Sequence, residues 1–200
     1  MTPLDLKGDD PVLDRLAALA PVDPPDLTDR LFDSWLTTDS LLGPVRVACT
    51  HDGISFLRTT ADLDEEDFRA AYRRRVGRPL RASAVVPEGL EAALHGDAAV
   101  RPRLDLLGIT DFQRDVLAAT RTIPAGETRP YAWVAAEVGR PGAVRATGTA
   151  LATNPVPLLI PCHRVVPSGS GGIGRYIFGA PAKQRLLEAE GAIAGGGVER

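Results

Sequence analysis

Residues 156–166 read VPLLIPCHRVV, an apolar run that ends in a proline and leads directly into Cys162 and His163. The run predicts a buried strand that presents the thiol of Cys162 to a site. Neighbours on a strand point to opposite faces, so His163 reaches the sulfur only if the chain turns at Cys162. An acidic residue of the last predicted helix, Glu188 or Glu190, would then orient the histidine. Otherwise Cys162 is a small buried apolar residue and His163 a core histidine.

The chemistry of this stretch depends on the pKa of its thiol. An unperturbed cysteine titrates near about 8.5, so only a few per cent is thiolate at neutral pH unless a base or a positive charge lowers the pKa. The chain has two cysteines, Cys49 and Cys162, and a reducing cytosol keeps both as thiols. The sequence therefore predicts two free thiols, one of them beside a histidine.

The composition is typical of a globular protein with one or two compact domains, because 200 residues that are 44% hydrophobic can bury a sizeable core. No stretch approaches the roughly 18 apolar residues of a membrane span. The first residues lack the basic and apolar regions of a signal peptide. We therefore expect a soluble, cytoplasmic protein with no membrane partner.

The charges are unevenly distributed, although the net charge is only −3. Residues 1–105 carry 13 Arg and Lys against 19 Asp and Glu, whereas residues 106–200 carry 10 against 7. The positive second half is typical of a surface that binds a polyanion, and a solvated arginine-rich face is the alternative. From residue 129 to residue 185 only Glu137 opposes the basic residues, which are Arg129, Arg140, Arg145, Arg164, Arg175, Lys183 and Arg185.

Residues 1–105 predict a small α/β domain with an extension helix at residues 11–20. Short apolar runs come next, and the turn residues at positions 51–53 predict a β-hairpin between two of them. Charged helical patterns follow over residues 67–75 and 88–94. We expect a small antiparallel sheet with helices beside it.

Residues 106–200 predict a mostly helical, winged-helix-like domain, which makes the fold class α+β. Thr110 and Gln113 match a capping box at the start of a helix. Helical patterns over residues 131–138 and 141–152, joined by a Gly-Arg-Pro turn, predict a helix-turn-helix. The second of these helices is rich in small side chains, which permit close approach either to a minor groove or to a neighbouring helix.

The stretch from Phe112 to Glu190 resembles the C-terminal domain of the O6-alkylguanine-DNA alkyltransferases, also called methylated-DNA–protein-cysteine methyltransferases. The resemblance rests on eight segments in the same order, which is far more specific than a single Cys-His motif. The segments are Phe112-Gln-Arg-Asp-Val, Ile123-Pro-Ala-Gly-Glu127, Pro130-Tyr131, Arg145-Ala-Thr-Gly148, Asn154-Pro155, Pro161-Cys-His-Arg-Val-Val166, Gly174-Arg-Tyr176, and Lys183 with Leu186-Leu187 and Glu190.

This resemblance implies a single displacement in which Cys162 takes the alkyl group from O6-alkylguanine in double-stranded DNA. His163 would act as a base through a water molecule, and Glu190 would orient it. Tyr131 would hydrogen-bond the flipped base, and Lys183 would assist protonation of the leaving group. Because a thioether has no good leaving group, one protein molecule would repair one lesion and not turn over.

The resemblance also implies a DNA-binding surface and a substrate pocket. Arg145 would enter the base stack in place of the flipped guanine, while the small-residue helix lies in the minor groove. The implied DNA-binding residues are Tyr131, Arg140, Arg145, Ala146, Thr147 and Gly148. The implied pocket residues are Asn154, Pro157, Val165, Tyr176, Ile177 and Phe178, with Asn154 bracing the turn before the cysteine. We expect a monomer.

Three positions depart from the family pattern. Leu117 stands where the family has an aromatic residue, and Arg129-Pro130 replaces a small or hydroxyl-bearing residue before Tyr131. Ile177-Phe178 falls at the expected mouth of the pocket and leaves the range of accepted alkyl groups open. None of these changes involves the acceptor cysteine.

No metal site or cofactor is predicted. Some members of the family carry a structural zinc ion in the N-terminal domain, and the soft ligands available there are Cys49, His51 and His95. Three candidates without a close pair do not match a zinc motif. We expect a core cysteine and two surface histidines.

Three other functions remain open on the residues alone. A lesion-sensing relative that binds alkylated DNA without repairing it would lack the acceptor, so Cys162 argues against it. A cysteine hydrolase would use the same Cys-His pair with an oxyanion hole and would turn over. A winged-helix regulator would carry the thiol incidentally. Stoichiometric inactivation by a benzylated guanine base separates alkyl transfer from all three.

Overall fold

A computed structural model describes residues 31–169 and 172–194, so the helix predicted over residues 11–20 lies outside the described residues. The strands are β1 (Asp33–Thr38), β2 (Val45–Thr50), β3 (Gly53–Thr59), β4 (Leu80–Ala82), β5 (Arg129–Pro130) and β6 (Val165–Val166). The helices are α1 (Glu65–Val76), α2 (Leu90–Leu94), α3 (Asp111–Arg121), α4 (Tyr131–Glu137), α5 (Val144–Ala152), a short 3-10 helix (Cys162–Arg164) and α6 (Gly179–Ala189). This arrangement confirms the predicted α+β class. None of the helices in these ranges has the length and apolar character that a membrane span needs.

The first half of the chain folds around a four-stranded sheet in the order β3-β2-β1-β4. β2 pairs antiparallel with both β1 and β3, which confirms the predicted antiparallel hairpin, and β4 adds a parallel edge strand next to β1. Gly53 begins β3 with a φ of +150°, and a Cβ there would lie 2.6 Å from the carbonyl oxygen of Arg103. Only glycine fits at this close approach.

The charged helix α1 packs aromatic side chains on one face of the sheet. Its N-cap residue Asp64 accepts a hydrogen bond from the Asp67 N–H (2.9 Å), and acidic residues fill its first turn while basic ones fill its last. Phe68 and Tyr72 are fully buried and lie against Phe56, with ring centroids 5.3 and 6.1 Å away. This cluster fixes the helix on the sheet.

The other face of the sheet belongs to a second apolar cluster that continues into the helical half of the chain. It includes Val47 and Leu57 from the sheet together with Val116, Val134 and Ile160. All five side chains have at most 1% exposure. The two halves therefore share one continuous apolar core.

The edge strand β3 is hydrogen-bonded to two segments that follow the sheet in the chain. The N–H of Ile54 donates to the carbonyl of Arg103 (2.9 Å), and the N–H of Leu57 donates to the carbonyl of Pro155 (2.8 Å). Because Pro155 lies in the turn that precedes the cysteine segment, the sheet directly supports that turn.

The capping box at the start of α3 is present as predicted. Gln113 accepts from the Thr110 N–H through Oε1 (2.9 Å), and its own N–H donates to the Thr110 hydroxyl (3.2 Å). The Nε2 of Gln113 also donates to the hydroxyl of Thr153 (3.0 Å), at the end of α5. One side chain thus caps α3 and fixes the end of α5.

Helices α4 and α5 form the predicted pair, but α5 begins later than predicted. The predicted start at Pro141 is wrong because the Ala143 N–H closes a turn on the carbonyl of Arg140 (2.9 Å), so regular helix begins at Val144. Gly139 ends the preceding helix with a φ of +70°. The connection is therefore a tight turn that exposes Arg140.

The strand predicted from the apolar run before the cysteine is also wrong. Leu158 has a φ of +75°, which no strand adopts, and the Ile160 N–H folds back on the carbonyl of Val156 (3.0 Å). The short 3-10 helix follows, and β6 then pairs in parallel with β5. The chain therefore turns at Cys162, which is the condition for His163 to approach the sulfur.

Candidate active site

The thiol of Cys162 is positioned by Asn154 and by the backbone. Nδ2 of Asn154 donates to Sγ (3.2 Å) and to the carbonyl of Ile160 (3.0 Å), while Oδ1 accepts from the Val156 N–H (3.0 Å). The Cys162 N–H donates to the same Ile160 carbonyl (2.8 Å). Asn154 has no exposed surface, so its hydrogen bonds are all internal. The amide thus braces the turn and contacts the sulfur with one atom.

The imidazole of His163 is held by a carboxylate at the end of α6. Nε2 of His163 lies 2.9 Å from Oε1 of Glu190. Arg164 donates to both oxygens of this carboxylate, at 2.8 and 2.9 Å, and to the carbonyl of Ile123 (2.6 Å). Of the two carboxylates considered from the sequence, Glu190 makes this contact, whereas Glu188 accepts from Gln184 on the same helix.

The charge state of this pair follows from its surroundings. Burial raises the pKa of Glu190, but hydrogen bonds from His163 and Arg164 outweigh burial and lower the pKa to about 2. Burial lowers the pKa of His163, so its ring is neutral at neutral pH. A neutral ring that donates from Nε2 keeps a lone pair on Nδ1. Nδ1 is buried without a hydrogen-bond partner among the described residues, which leaves it free to act as a base.

Burial of Cys162 favours its protonated form. Burial raises the pKa of the thiol, and nearby donors and positive charges counteract part of this rise. The opposing groups are the amide of Asn154, the ammonium of Lys183, the backbone and the guanidinium of Arg58. The resting site therefore holds a thiol that needs a base, and the nearby donors and positive charges offset part of the cost of forming a buried thiolate.

Lys183 is a fully buried cation close to this thiol. Its Nζ donates to the carbonyl of Val165 (2.6 Å) and to that of Arg175 (3.4 Å). Burial lowers the pKa of Lys183 to about 8, so most of the side chain is protonated at neutral pH. It supplies a fixed positive charge within the site.

A cavity of about 690 Å³ opens beside the thiol. The lining is mostly apolar and small, with a few polar groups, which suits a flat aromatic molecule. The described lining residues are Tyr131, Val144, Arg145, Gly148, Thr149, Leu151, Ala152, Cys162, Pro167, Gly174, Arg175, Tyr176 and Ile177. Two arginines and two tyrosines thus face the same space as the cysteine.

The two tyrosines keep their protons in this cavity. Burial raises the pKa of Tyr131 and raises that of Tyr176 well above its ordinary value. Tyr176 packs edge-on against His163, with ring centroids 6.1 Å apart. Gly174 has a φ of +76°, and a Cβ there would lie 2.9 Å from the ring of Pro167. A side chain at residue 174 would therefore crowd the loop beside the Tyr131 hydroxyl.

The residues predicted to bind DNA lie on α5 and the turn before it, except Tyr131, which begins α4 and lines the cavity. Arg145 and Ala146 are exposed, Gly148 is half-buried, and Arg145 and Gly148 line the cavity. Arg140 is exposed, with its guanidinium 5.8 Å from the ring centroid of Phe112. Thr147 differs from the prediction, because its side chain has no exposed surface and packs inside the protein.

The residues predicted to form the pocket divide into two groups. Tyr176 and Ile177 line the cavity. The other four predicted residues are not among the described lining residues of the cavity but contact or lie near the residues that form it. Asn154 contacts the sulfur, the Val165 carbonyl accepts from Lys183, Pro157 lies buried in the turn before the cysteine, and Phe178 packs edge-on against Tyr176 (5.5 Å).

Sequence reasoning missed two arginines of the site. Arg164 neutralises the carboxylate of Glu190, and its place beside His163 in the motif was an available signal. Arg58 of β3 donates to the carbonyls of Asn154 (3.4 Å) and Pro155 (3.1 Å). No local pattern signals this contact, because it joins residues 96 and 97 positions apart.

The region of Cys49 has no metal-binding arrangement in the described ranges, where no three His, Cys, Asp or Glu side chains are grouped to hold an ion. Burial, followed by the charge of Asp33, raises the pKa of Cys49 to about 12. His51 and His95 are exposed. Both cysteines are free thiols.

Comparisons with known proteins agree with this site. A family model described as "6-O-methylguanine DNA methyltransferase, DNA binding domain" matches residues 111–192. The methylated-DNA–protein-cysteine methyltransferase of Mycobacterium leprae is 49% identical over 153 residues, covering 76% of this chain and 88% of the relative. The same-named protein of Mycobacterium tuberculosis is 37% identical over 157 residues, covering 78% of this chain and 91% of the relative.

A solved structure, described as Mycobacterium tuberculosis OGT in complex with DNA, has a TM-score of 0.65 and 34% identity. The match covers 78% of this chain and 92% of that one, and so includes both the sheet and the helical half. Since the similarity extends over nearly the whole length of these relatives and includes the Cys162 segment, the chain belongs to the methylated-DNA–protein-cysteine methyltransferase family.

Proposed function

We propose that this protein repairs DNA by moving an alkyl group from O6 of alkylguanine in double-stranded DNA to the sulfur of Cys162. The observation that carries the proposal is the position of the thiol, which lines a cavity of about 690 Å³ while the next residue, His163, is hydrogen-bonded to Glu190. The family membership supports the same reaction, since its members are named for methyl transfer to a protein cysteine.

The cavity requires the target base to leave the helix. A guanine inside a duplex is stacked and paired, so its O6 group reaches a buried thiol only after the nucleotide is extruded, at a cost of a few kcal/mol. Arg145 is exposed on α5 at the edge of this cavity. Its length and charge suit insertion into the space that the base leaves, and attraction to the flanking phosphates.

The proton of the thiol has a defined acceptor. Nδ1 of His163 takes the proton, through a water molecule in our proposal, and the ring becomes an imidazolium stabilised by Glu190. The sulfur of Cys162 then attacks the alkyl carbon, and the bond between that carbon and O6 breaks. The electron pair of the broken bond stays on the guanine ring, which takes up the proton that the His163 imidazolium gives back and remains in the DNA as ordinary neutral guanine.

Two groups of the site, Tyr131 and Lys183, support the charges that develop. Tyr131 retains its hydroxyl proton and faces the cavity, so it can donate a hydrogen bond to the guanine as negative charge grows on the ring. The ammonium of Lys183 stabilises the thiolate from behind, and this effect of its charge needs no direct contact with the base.

The product is a thioether, which has no good leaving group, so the proposed reaction is stoichiometric. We further propose a monomer that acts in the cytoplasm without a cofactor, with residues 1–105 and 106–200 as its two domains. Sedimentation of the protein with and without duplex DNA tests the monomer.

The decisive experiment uses a duplex that contains a single O6-methylguanine. Intact-protein mass should rise by one methyl group in place of one hydrogen and saturate at one per protein, and peptide mapping should place the methyl group on Cys162. An undamaged duplex of the same sequence serves as the control. Binding without any adduct would instead favour a lesion-sensing function.

A further inference from the structure

Arg58 joins the sheet to the turn that precedes the active-site cysteine. It lies on the edge strand β3, and its Nη1 donates to the carbonyls of Pro155 (3.1 Å) and Asn154 (3.4 Å). Its guanidinium also lies 4.3 Å from the ring centroid of Phe56, two residues earlier on the same strand. The Leu57 N–H adds a backbone hydrogen bond to Pro155 (2.8 Å).

Asn154 connects this contact to the sulfur. Its carbonyl oxygen accepts from Arg58, while its side-chain amide donates to Sγ of Cys162 at 3.2 Å. A shift of the turn would therefore move the amide relative to the sulfur. Arginine is suited to this task because its planar group stacks on the ring of Phe56 and so holds Nη1 in place at the turn, which a flexible lysine does not.

We propose that Arg58 is a positioning residue for the alkyl acceptor, which holds the Asn154–Pro155 turn from the sheet and favours the Cys162 thiolate by its charge. The inference rests on the proposed function of Cys162. It gives the first half of the chain, which contains the sheet, a role in the reaction.

The charge of Arg58 survives its burial. Burial lowers the pKa of Arg58 to about 10, so the group stays protonated at neutral pH. Its positive charge lowers the pKa of Cys162, which opposes the effect of burial on the thiol. The titratable and charged groups that interact electrostatically with this thiol are Arg58, Tyr131, Tyr176 and Lys183, and His163 follows it in the same 3-10 helix.

The test compares the pH dependence of Cys162 alkylation in wild type, Arg58→Met and Arg58→Lys. Iodoacetamide followed by peptide mapping reports the thiol itself, and free O6-benzylguanine reports the transfer without DNA. In Arg58→Met the pH midpoint should rise by about one unit, and reaction at neutral pH should slow about tenfold. Arg58→Lys should keep a midpoint near that of wild type while reacting more slowly, because the charge remains but the shorter ammonium does not reproduce the position of Nη1 between the two carbonyls.

Arg46→Met is the matched control. Arg46 is paired with Arg58 across the two strands, and it donates to the carbonyl of Leu63 (2.6 Å) within the sheet half. Its loss should lower thermal stability and leave the pH midpoint of Cys162 unchanged. If Arg58→Met does not fold, Arg58→Gln takes its place.

An unchanged midpoint in Arg58→Met, or an equal shift in Arg46→Met, would overturn the inference. A midpoint for Arg58→Lys as high as that of Arg58→Met would also overturn the role of charge. Failure of wild type to react with O6-benzylguanine would count against the proposed function alone, because the iodoacetamide titration tests Arg58 independently.

Discussion

Cys49 and Cys162 are matched in burial and opposite in their surroundings. Their exposed fractions are 7% and 6%, and both are free thiols. Cys49 lies in strand β2, where burial and then the charge of Asp33 raise its pKa to about 12. Cys162 follows a turn, where Asn154 donates to the sulfur and positive charges oppose the effect of burial. Burial alone therefore leaves a thiol inert, and the groups around it decide its chemistry.

Access to a cavity does not separate the two thiols either. Cys49 lines a cavity of about 450 Å³, and His51 lines that cavity as well. Within the described chain, however, His51 makes no hydrogen bond to a carboxylate, whereas His163 is fixed by Glu190. What distinguishes the Cys162 region is the combination of an oriented base with a buried positive charge.

The largest expected effect comes from removing each thiol in turn. Cys162→Ala should abolish alkyl transfer from a duplex with O6-methylguanine, and Cys49→Ala should retain it, because only Cys162 has beside it a histidine that a carboxylate orients. Intact-protein mass after incubation with the duplex measures both. A methyl group on Cys49 in the Cys162→Ala protein would contradict the conclusion that only the surroundings of Cys162 make a thiol reactive.

Glu190→Gln should reduce the rate of transfer about 100-fold, the range typical of losing an oriented base. The amide keeps the shape of the side chain but no longer stabilises an imidazolium on His163. Single-turnover kinetics with free O6-benzylguanine measure this effect. Glu188→Gln, on the same helix, is the control and should react at the wild-type rate.

Glu190 also carries a pH signature in stability. Its pKa in the folded protein, about 2, lies below the ordinary value of about 4.3, so its stabilisation is complete above the ordinary value and is lost as pH falls through about 2. Denaturant unfolding of Glu190→Gln should therefore show a weaker loss of stability across this acid range. If the stability of wild type and of Glu190→Gln fell equally with pH, Glu190 would not be stabilised as a carboxylate by His163 and Arg164.

Arg145→Ala should slow reaction with duplex DNA by about 10-fold to 100-fold, since an extruded base costs a few kcal/mol that the arginine partly offsets. Reaction with free O6-benzylguanine should be unchanged, because no base has to leave a helix. The ratio of the two rates is the measurement. An equal loss with both substrates would place Arg145 in the pocket chemistry instead.

Lys183→Met should give the smallest change, about a tenfold slower reaction of Cys162 with iodoacetamide at neutral pH. The pKa of Lys183 is about 8, so its charge acts on the thiol below that pH and is lost as pH rises through it. The difference between wild type and variant should therefore narrow above about pH 8. A difference that stays constant across this range would exclude an effect of the charge.

The sequence was sufficient for the elements whose signals are local. The capping box at Thr110 and Gln113, the hairpin before Gly53 and the Cys162-His163 motif all depend on neighbouring residues, and all are present in the structure. The apolar run before Cys162 was misleading, because apolar character is common to buried strands and buried turns. The positive φ of Leu158 has no signature in residue type.

The supporting groups of the site were harder to predict because they arrive from distant parts of the chain. Arg58 contacts a turn nearly half the chain away. Thr147 was predicted to contact DNA from a continuous stretch of small residues, but a helix turns about 100° per residue and directs this side chain inward. Chemistry carried by adjacent residues could thus be predicted from the sequence. Which face of a helix points inward, and which distant residues come into contact, could be determined only from the structure.

The two hydrogen-bonding roles of Gln113 limit how the start of α3 can be redesigned. Its amide accepts at the start of α3 and donates to Thr153, the residue before Asn154. Glutamate would preserve the helix cap but offers no donor, and an apolar residue would preserve neither contact. A substitution of Gln113 chosen only to preserve the helix cap would therefore remove the hydrogen bond to Thr153. That bond holds the end of α5 next to Asn154, whose amide contacts the sulfur of Cys162. The residues that can replace Gln113 are therefore limited by Thr153, which lies 40 residues later in the chain.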